Sequence, residues 1–172
     1  MKSLLVLVAS IPLIASAHEV RQQGPHVHGQ ADVQIGVEGS AVEVRLQAPG
    51  MGILTFERPP TSDPQAAELK RAISVLDSGK WVEFPQAAGC SLTSHMVQAE
   101  GFSPGAGADH HHAGFQATLS FRCKDASKLT HLQVGLASQF PNLHQTIVES
   151  ATPRGQDRVV LQGQQRRVEL TR

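Results

Sequence analysis

Gln30–Gln47, which reads Q-A-D-V-Q-I-G-V-E-G-S-A-V-E-V-R-L-Q, is the stretch that decides the fold class. Apolar and polar residues alternate along both halves of it, and the polar turn Glu38-Gly39-Ser40 separates the halves. The alternating apolar residues are Val33, Ile35, Val37, Val42, Val44 and Leu46. A period of two places successive side chains on opposite faces of a strand, and a short glycine-containing turn joins antiparallel strands. The stretch therefore predicts a β-hairpin with one buried face.

One helix is predicted downstream, from about Pro64 to Ser78. Asp63 can cap it, Pro64 suits its first turn, and Gly79 is placed to end it. Its apolar stripe at helical spacing consists of Ala66, Leu69, Ile73 and Leu76. We expect this helix only to pack against the core, because its charged residues are more simply explained as a solvent-exposed face than as a binding site.

The rest of the chain consists of short apolar runs bounded by turn residues, a pattern typical of strands. Further strands are predicted at about 81–84, 90–100, 115–123, 132–136, 143–150, 158–162 and 166–171. We find no internal repeat and no separate linker. We therefore predict one mainly β domain over residues 18–172, in which antiparallel sheets pack as a sandwich with a single α-helix.

Cys90 and Cys123 are the only cysteines in the chain. Their spacing matches neither a C-x-x-C redox motif nor a zinc-knuckle pattern, and disulfides are favoured in exported proteins. We predict a Cys90–Cys123 disulfide, with buried free thiols as the alternative.

Antiparallel pairing of Cys90 with Cys123 also predicts the register of the two strands predicted at 90–100 and 115–123. The predicted partners are Leu92 with Phe121, Ser94 with Leu119, Met96 with Ala117, His95 with Thr118 and Glu100 with Ala113. This register gives one mostly apolar face and one polar face, as a half-buried sheet requires. It places His95 on the polar face, about 17 Å below the tip of the hairpin.

The tip of this hairpin, Gly101–Gly114, reads G-F-S-P-G-A-G-A-D-H-H-H-A-G. Its glycines and proline cannot continue a helix or a strand, so the histidines stand on a loop. The potential metal ligands are Asp109, His110, His111 and His112. Imidazole nitrogen and carboxylate oxygen suit zinc and its neighbours in the transition series. We interpret the loop as a site of reversible divalent-metal capture, with a solvated polar loop as the alternative.

The N-terminal segment His26-Val27-His28 supplies a second pair of imidazoles. In an extended chain, residues two apart point the same way, so both could approach one ion from the same side. Zinc prefers four ligands, and His110–His112 alone cannot easily supply them all. We therefore expect His26 and His28 to contribute, with Asp109, His95 or water completing the site. A frayed terminus with incidental histidines is the alternative.

No other pattern in the chain indicates a ligand set or a catalytic site. His131 and His144 are interpreted as ordinary strand histidines, because neither has a second ligand at a useful spacing. H-E-x-x-H, G-x-S-x-G and a phosphate-binding glycine loop are all absent from the sequence. A glycine-rich tip is also a poor frame for a catalytic zinc ion, which needs rigid ligands. We therefore expect no enzymatic activity.

The first residues have the features of an export signal. Lys2 supplies the positive end, Leu4–Ile14 the apolar run, and Ala15-Ser16-Ala17 the small-residue cleavage site. We predict a signal peptide over residues 1–17, with cleavage after Ala17, and no membrane-spanning segment in the mature chain. The 15 basic and 15 acidic residues balance, which gives no reason to expect a nucleic-acid partner.

Several motifs resemble the ZrgA-like periplasmic zinc-uptake proteins across nearly the whole mature chain. They are H-V-H-G-Q-A-D-V (26–33), A-P-G-M-G-I-L-T-F-E-R-P-P (48–60), F-R-C with a later L-x-H-L-Q-V-G-L (from 121), and F-P-N-L (140–143). The resemblance implies a periplasmic protein that binds Zn²⁺ through histidines and accompanies an inner-membrane ATP-driven zinc importer. Carried over position by position, it marks His26, His28 and Asp109–His112.

The chain departs from this resemblance in two places. Relatives tend to have a longer loop with more histidine and aspartate, so the short loop here implies lower capacity or affinity. Relatives often have histidine before the proline of the F-E-x-x-P segment, whereas this chain has Arg58. Any ligand role at that position is lost.

Two alternatives to zinc carriage remain at this point. A copper carrier could use the new N-terminal His18, but Cu(I) favours soft sulfur, and only Met51 and Met96 remain after processing. A structural or adhesive β domain would bind no metal tightly.

Overall fold

The computed structural model describes residues 27–103 and 113–170. The predicted export signal, His26 and the loop ligands Asp109–His112 lie outside these residues. No helix in the described part of the chain is both long enough and apolar enough to cross a membrane.

The described chain is mainly β, with few helices, as the sequence predicted. Its strands are β1 (Gln30–Glu38), β2 (Ala41–Pro49), β3 (Val82–Glu83), β4 (Cys90–Glu100), β5 (Gly114–Cys123), β6 (His131–Val134), β7 (Gln145–Thr152), β8 (Gly155–Gln162) and β9 (Arg167–Glu169). Its α-helices are α1 (Gly50–Ile53), α2 (Asp63–Asp77) and α3 (Leu136–Gln139). Short 3₁₀ turns span Gln86–Ala88 and Ala126–Lys128.

Two sheets form a sandwich-like arrangement. The large sheet has six strands in the order β4-β5-β2-β1-β7-β8, and the small sheet has three in the order β3-β6-β9. All pairs are antiparallel except β1 with β7, which run parallel. One hydrophobic cluster joins the inner face of the large sheet, α2 and the small sheet. Trp81 belongs to this cluster, and its indole Nε1 donates to the Leu76 carbonyl oxygen of α2 at 2.9 Å.

The hairpin of β1 and β2 has the predicted turn and faces. Val33 pairs with Leu46 and Ile35 with Val44, and all four side chains are buried. Helix α2 is also confirmed, although Ser62 rather than Asp63 precedes its first residue. The one-turn helices α1 and α3 were not predicted, because four residues are too few to show an apolar stripe.

The predicted register of β4 and β5 is correct from Cys90 to Leu92 and wrong by one residue beyond. The pairs there are Ser94 with Ser120, His95 with Leu119, Met96 with Thr118, Val97 with Ala117 and Glu100 with Gly114. A β-bulge at Thr93 causes the shift, and the Thr93 hydroxyl donates to the Ser120 carbonyl oxygen at 3.0 Å. A single extra residue exchanges the two faces of a strand. His95 therefore shares a face with buried Leu119 instead of lying on the polar face.

Cys90 and Cys123 form the predicted disulfide. It joins the residues at which β4 begins and β5 ends, so it closes the end of the hairpin that lies away from Gly101 and Ala113. The disulfide and the histidine loop thus belong to opposite ends of the same strand pair.

Candidate functional site

All six strands of the large sheet have one end along the same edge, which is formed by strand ends and not by an outer strand. Strands β1, β5 and β7 begin there, and β2, β4 and β8 end there. Helix α1 follows β2 at this same edge. We call it the α1 edge. The fold therefore brings together the N-terminal arm (27–29), both ends of the histidine loop and the chain that precedes β7.

The ends of the histidine loop are fixed against α1. The Gly50 backbone N–H donates to the Ala113 carbonyl oxygen at 2.7 Å, and Ala113 directly follows His112 in the sequence. Gly101 has φ 80°, and a Cβ on it would lie 2.8 Å from the Ala113 Cα. In the core beside these residues, the buried Phe102 ring packs 5.2 Å from the Phe115 ring, measured between centroids. The backbone on both sides of the loop is consequently held in close contact.

The N-terminal arm is held against the start of β7. The Gly29 carbonyl oxygen accepts from the His144 backbone N–H at 2.8 Å and from the Gln145 backbone N–H at 3.0 Å. Gly29 has φ 77°, and a Cβ on it would lie 3.1 Å from Cδ2 of the His144 ring. The imidazole of His144 therefore lies against the backbone next to His28. The sequence alone did not indicate this contact, because Gly29 and His144 are separated by most of the chain.

Glu57 connects the arm with α1. Its Oε1 lies 3.4 Å from His28 Nε2 and accepts from the Met51 backbone N–H at 3.3 Å. The Glu57 side chain is 23% exposed, whereas that of His28 is 62% exposed. Glu57 Cγ also lies 3.3 Å from the position that a Cβ on Gly50 would take. A half-buried carboxylate thus stands between the histidine arm and the anchor of the loop. The F-E-R-P-P motif contains Glu57, but its spacing alone did not indicate a ligand.

His95 lies away from the α1 edge. Its Nδ1 is 2.6 Å from Asp77 Oδ1 at the end of α2, and both side chains are about half exposed. This contact joins the His95 ring to α2. His131 belongs to the small sheet, where its Nδ1 is 3.0 Å from Thr130 Oγ1. The structure therefore separates these two histidines from His28.

The residues described by the structure do not form a metal site by themselves. Within 27–103 and 113–170, no three histidine, cysteine, aspartate or glutamate side chains are grouped closely enough to hold a metal ion. The pair His28 and Glu57 supplies one nitrogen and one oxygen ligand of the kinds that zinc accepts. Of the other predicted ligands, His26 and Asp109–His112 lie outside the described residues.

The chain is similar to one family of known proteins. The profile of a family described as ZrgA family zinc uptake protein matches residues 25–170. The matched region includes the arm residues, α1, Glu57 and the histidine loop. No curated protein sequence matches the chain.

Proposed function

Because this chain belongs to the ZrgA family of zinc uptake proteins, we propose that it captures Zn²⁺ at the α1 edge and passes the ion to a transporter. The observation that carries this proposal is the convergence of the arm and of both loop ends on α1, with His28 and Glu57 between them. The sequence also indicates the compartment in which the protein acts. The export signal predicted over residues 1–17 favours the periplasm, and the receiving protein would be an inner-membrane ATP-driven importer.

The spacing of His28 and Glu57 supports a shared ion. Two ligands of a tetrahedral zinc ion, each about 2.0–2.1 Å from the metal, lie roughly 3.3–3.4 Å apart. His28 Nε2 and Glu57 Oε1 are 3.4 Å apart. Metal binding therefore requires little movement of this pair. We assign the remaining positions to His26 and to the loop ligands Asp109–His112, and we place His95 outside the site.

The division of ligands between two chain segments suits a carrier. Segments that come together on binding lose conformational entropy, which lowers the affinity below that of a preformed cage. The same cost favours release when a partner offers competing ligands. A catalytic zinc ion would instead need a rigid first shell and an oriented second shell, so we propose no enzymatic role.

Zinc titration of ligand variants tests the shared site. His26→Gln with His28→Gln should lower the zinc affinity roughly ten- to a hundred-fold, and so should the triple replacement of His110, His111 and His112 by glutamine. Isothermal titration calorimetry against a competing chelator measures both losses. His131→Gln is the matched control, because that imidazole lies in the small sheet, and its affinity should equal that of the wild type.

Combining the two sets of substitutions distinguishes one shared site from two separate sites. Ligands of one ion act as a unit, so the combined loss should fall well short of the sum of the separate losses in free energy. Unchanged zinc affinity after loss of His26 and His28 would show that neither residue of the arm is a zinc ligand.

Glu57→Gln tests the carboxylate alone. Glutamine keeps the size of the side chain and can still accept from the Met51 N–H, but it removes the negative charge from a half-buried position beside His28. We expect zinc affinity to fall about ten-fold while the thermal midpoint of the apo protein changes little. Glu43→Gln, which removes a carboxylate at 44% exposure from β2, is the control and should bind as the wild type does. Equal affinities for the two variants would exclude Glu57 as a ligand.

A further inference from the structure

The outer strand β4 leaves one side of its backbone without a neighbouring strand in the described part of the chain. It is the first strand in the order of the large sheet and pairs with β5 alone. Unpaired N–H and C=O groups along such an edge are a template for another strand, and proteins normally protect them with charges, proline, bulges or short length.

The other sheet edges within 27–103 and 113–170 have such protection. β3 has two residues and β9 has three, while β8 carries Asp157 and Arg158 near its beginning. β4 has eleven residues, and the bulge at Thr93 interrupts only its first part. The remaining segment, Ser94–Glu100, reads S-H-M-V-Q-A-E, contains no lysine, arginine, proline or glycine, and has its one carboxylate at its last residue, Glu100. We call it the β4 edge segment.

The middle of the β4 edge segment is apolar on both faces. Met96, on the outer face, is 55% exposed and is one of two exposed large hydrophobic side chains in the described chain. Val97 and Ala99 lie on the inner face, partly buried against the core. An added strand would therefore cover apolar surface on both faces as well as the free backbone groups.

We propose that the β4 edge segment pairs antiparallel with the same segment of a second copy, about a two-fold axis at Val97. The resulting partners are Val97 with Val97, Met96 with Gln98, His95 with Ala99, and Ser94 with Glu100. This register opposes no like charges, and it keeps inner-face residues against inner-face residues. The segment is thus complementary to itself, as an isologous dimer interface requires. The two large sheets join into one continuous sheet, with the α1 edges of the copies at opposite ends.

Sedimentation analysis of the mature protein tests this dimer. The measurement is made in a metal chelator, so that metal ions cannot link the histidines of different molecules. An interface of this limited size should give a dissociation constant on the order of micromolar, and therefore a monomer at the lowest concentrations and a dimer at about 100 μM. A monomer at all concentrations up to about 500 μM would overturn the inference.

Substitutions on the outer face test the register. Met96→Lys should weaken dimerisation ten-fold or more. The lysine ammonium group would lose bound water where it opposes Gln98 of the partner subunit and would gain no opposite charge there. Adding Gln98→Glu should restore much of it, since each lysine then opposes a glutamate in the partner. Gln116→Lys is the control, on the same face but one strand away from the edge, and should leave the dimer intact. A dimer insensitive to Met96→Lys, or equally sensitive to Gln116→Lys, contradicts the proposed pairing. Zinc affinity should be unchanged in all three variants.

Discussion

Acidification from about pH 7.5 to about pH 5.5 should weaken zinc binding by roughly a hundred-fold or more. The reason is that a proton and the metal compete for the same imidazole nitrogen, and an ordinary imidazole gains its proton near pH 6.5. Below that pH, each histidine ligand costs about a factor of ten in affinity per pH unit, so two or more ligands multiply the effect. Competition with a chelator of known pH dependence measures the affinity at each pH.

The slope of this dependence reports the number of histidine ligands. The variant with His26→Gln and His28→Gln should lose affinity less steeply with falling pH than the wild type does. His131→Gln should follow the wild-type slope. An affinity that is the same at both ends of the range would exclude a site built on histidines and, with it, the proposed capture mechanism.

Removal of the disulfide should lower the free energy of unfolding by roughly 3–4 kcal/mol on the loop-entropy model. The bond joins residues separated by 33 positions, and the open chain regains the conformational freedom that this closure removes. For a chain of this size, the loss corresponds to a decrease of about 10 °C in the thermal midpoint. Scanning calorimetry of the variant Cys90→Ser with Cys123→Ser measures it.

Zinc affinity should change little in the same variant. The cysteines lie at one end of the β4–β5 hairpin, and the histidine loop emerges from the other, beside α1. A large loss of affinity at temperatures where the variant remains folded would show that the loop depends on the far end of the hairpin. We therefore expect this variant to lose stability while its zinc affinity stays close to that of the wild type.

The parts of the fold that depend on residues close together in the sequence could be predicted. The β1–β2 hairpin follows from alternation about Gly39, and α2 follows from its apolar stripe and flanking residues. The register beyond Leu92 could not be predicted, because no residue near Thr93 signals a bulge, and the hydrogen bond that Thr93 donates there reaches Ser120 on the opposite strand. Apolar and polar residues can still alternate on both sides of a bulge, with the two faces exchanged. Composition alone therefore does not show where the bulge lies.

The candidate site was predicted only in part, for a related reason. His26, His28 and the loop histidines were recognisable because each group is dense in ligands within a few residues. Glu57 and His144 carry no such local signal. They come close to the arm through α1 and through the parallel pairing of β1 with β7, and both contacts join residues far apart in the chain.

That parallel pairing also affects the order in which the protein can fold. Strand β1 is synthesised well before β7, yet β7 is one of its two neighbours in the sheet. While β7 is still in the ribosome, one whole side of an apolar strand is left open to chaperones and to wrong partners. Contacts that join distant residues form slowly because a long loop must close first. The large sheet can therefore assemble fully only after most of the polypeptide has emerged, and the histidine arm is fixed in place at that late step.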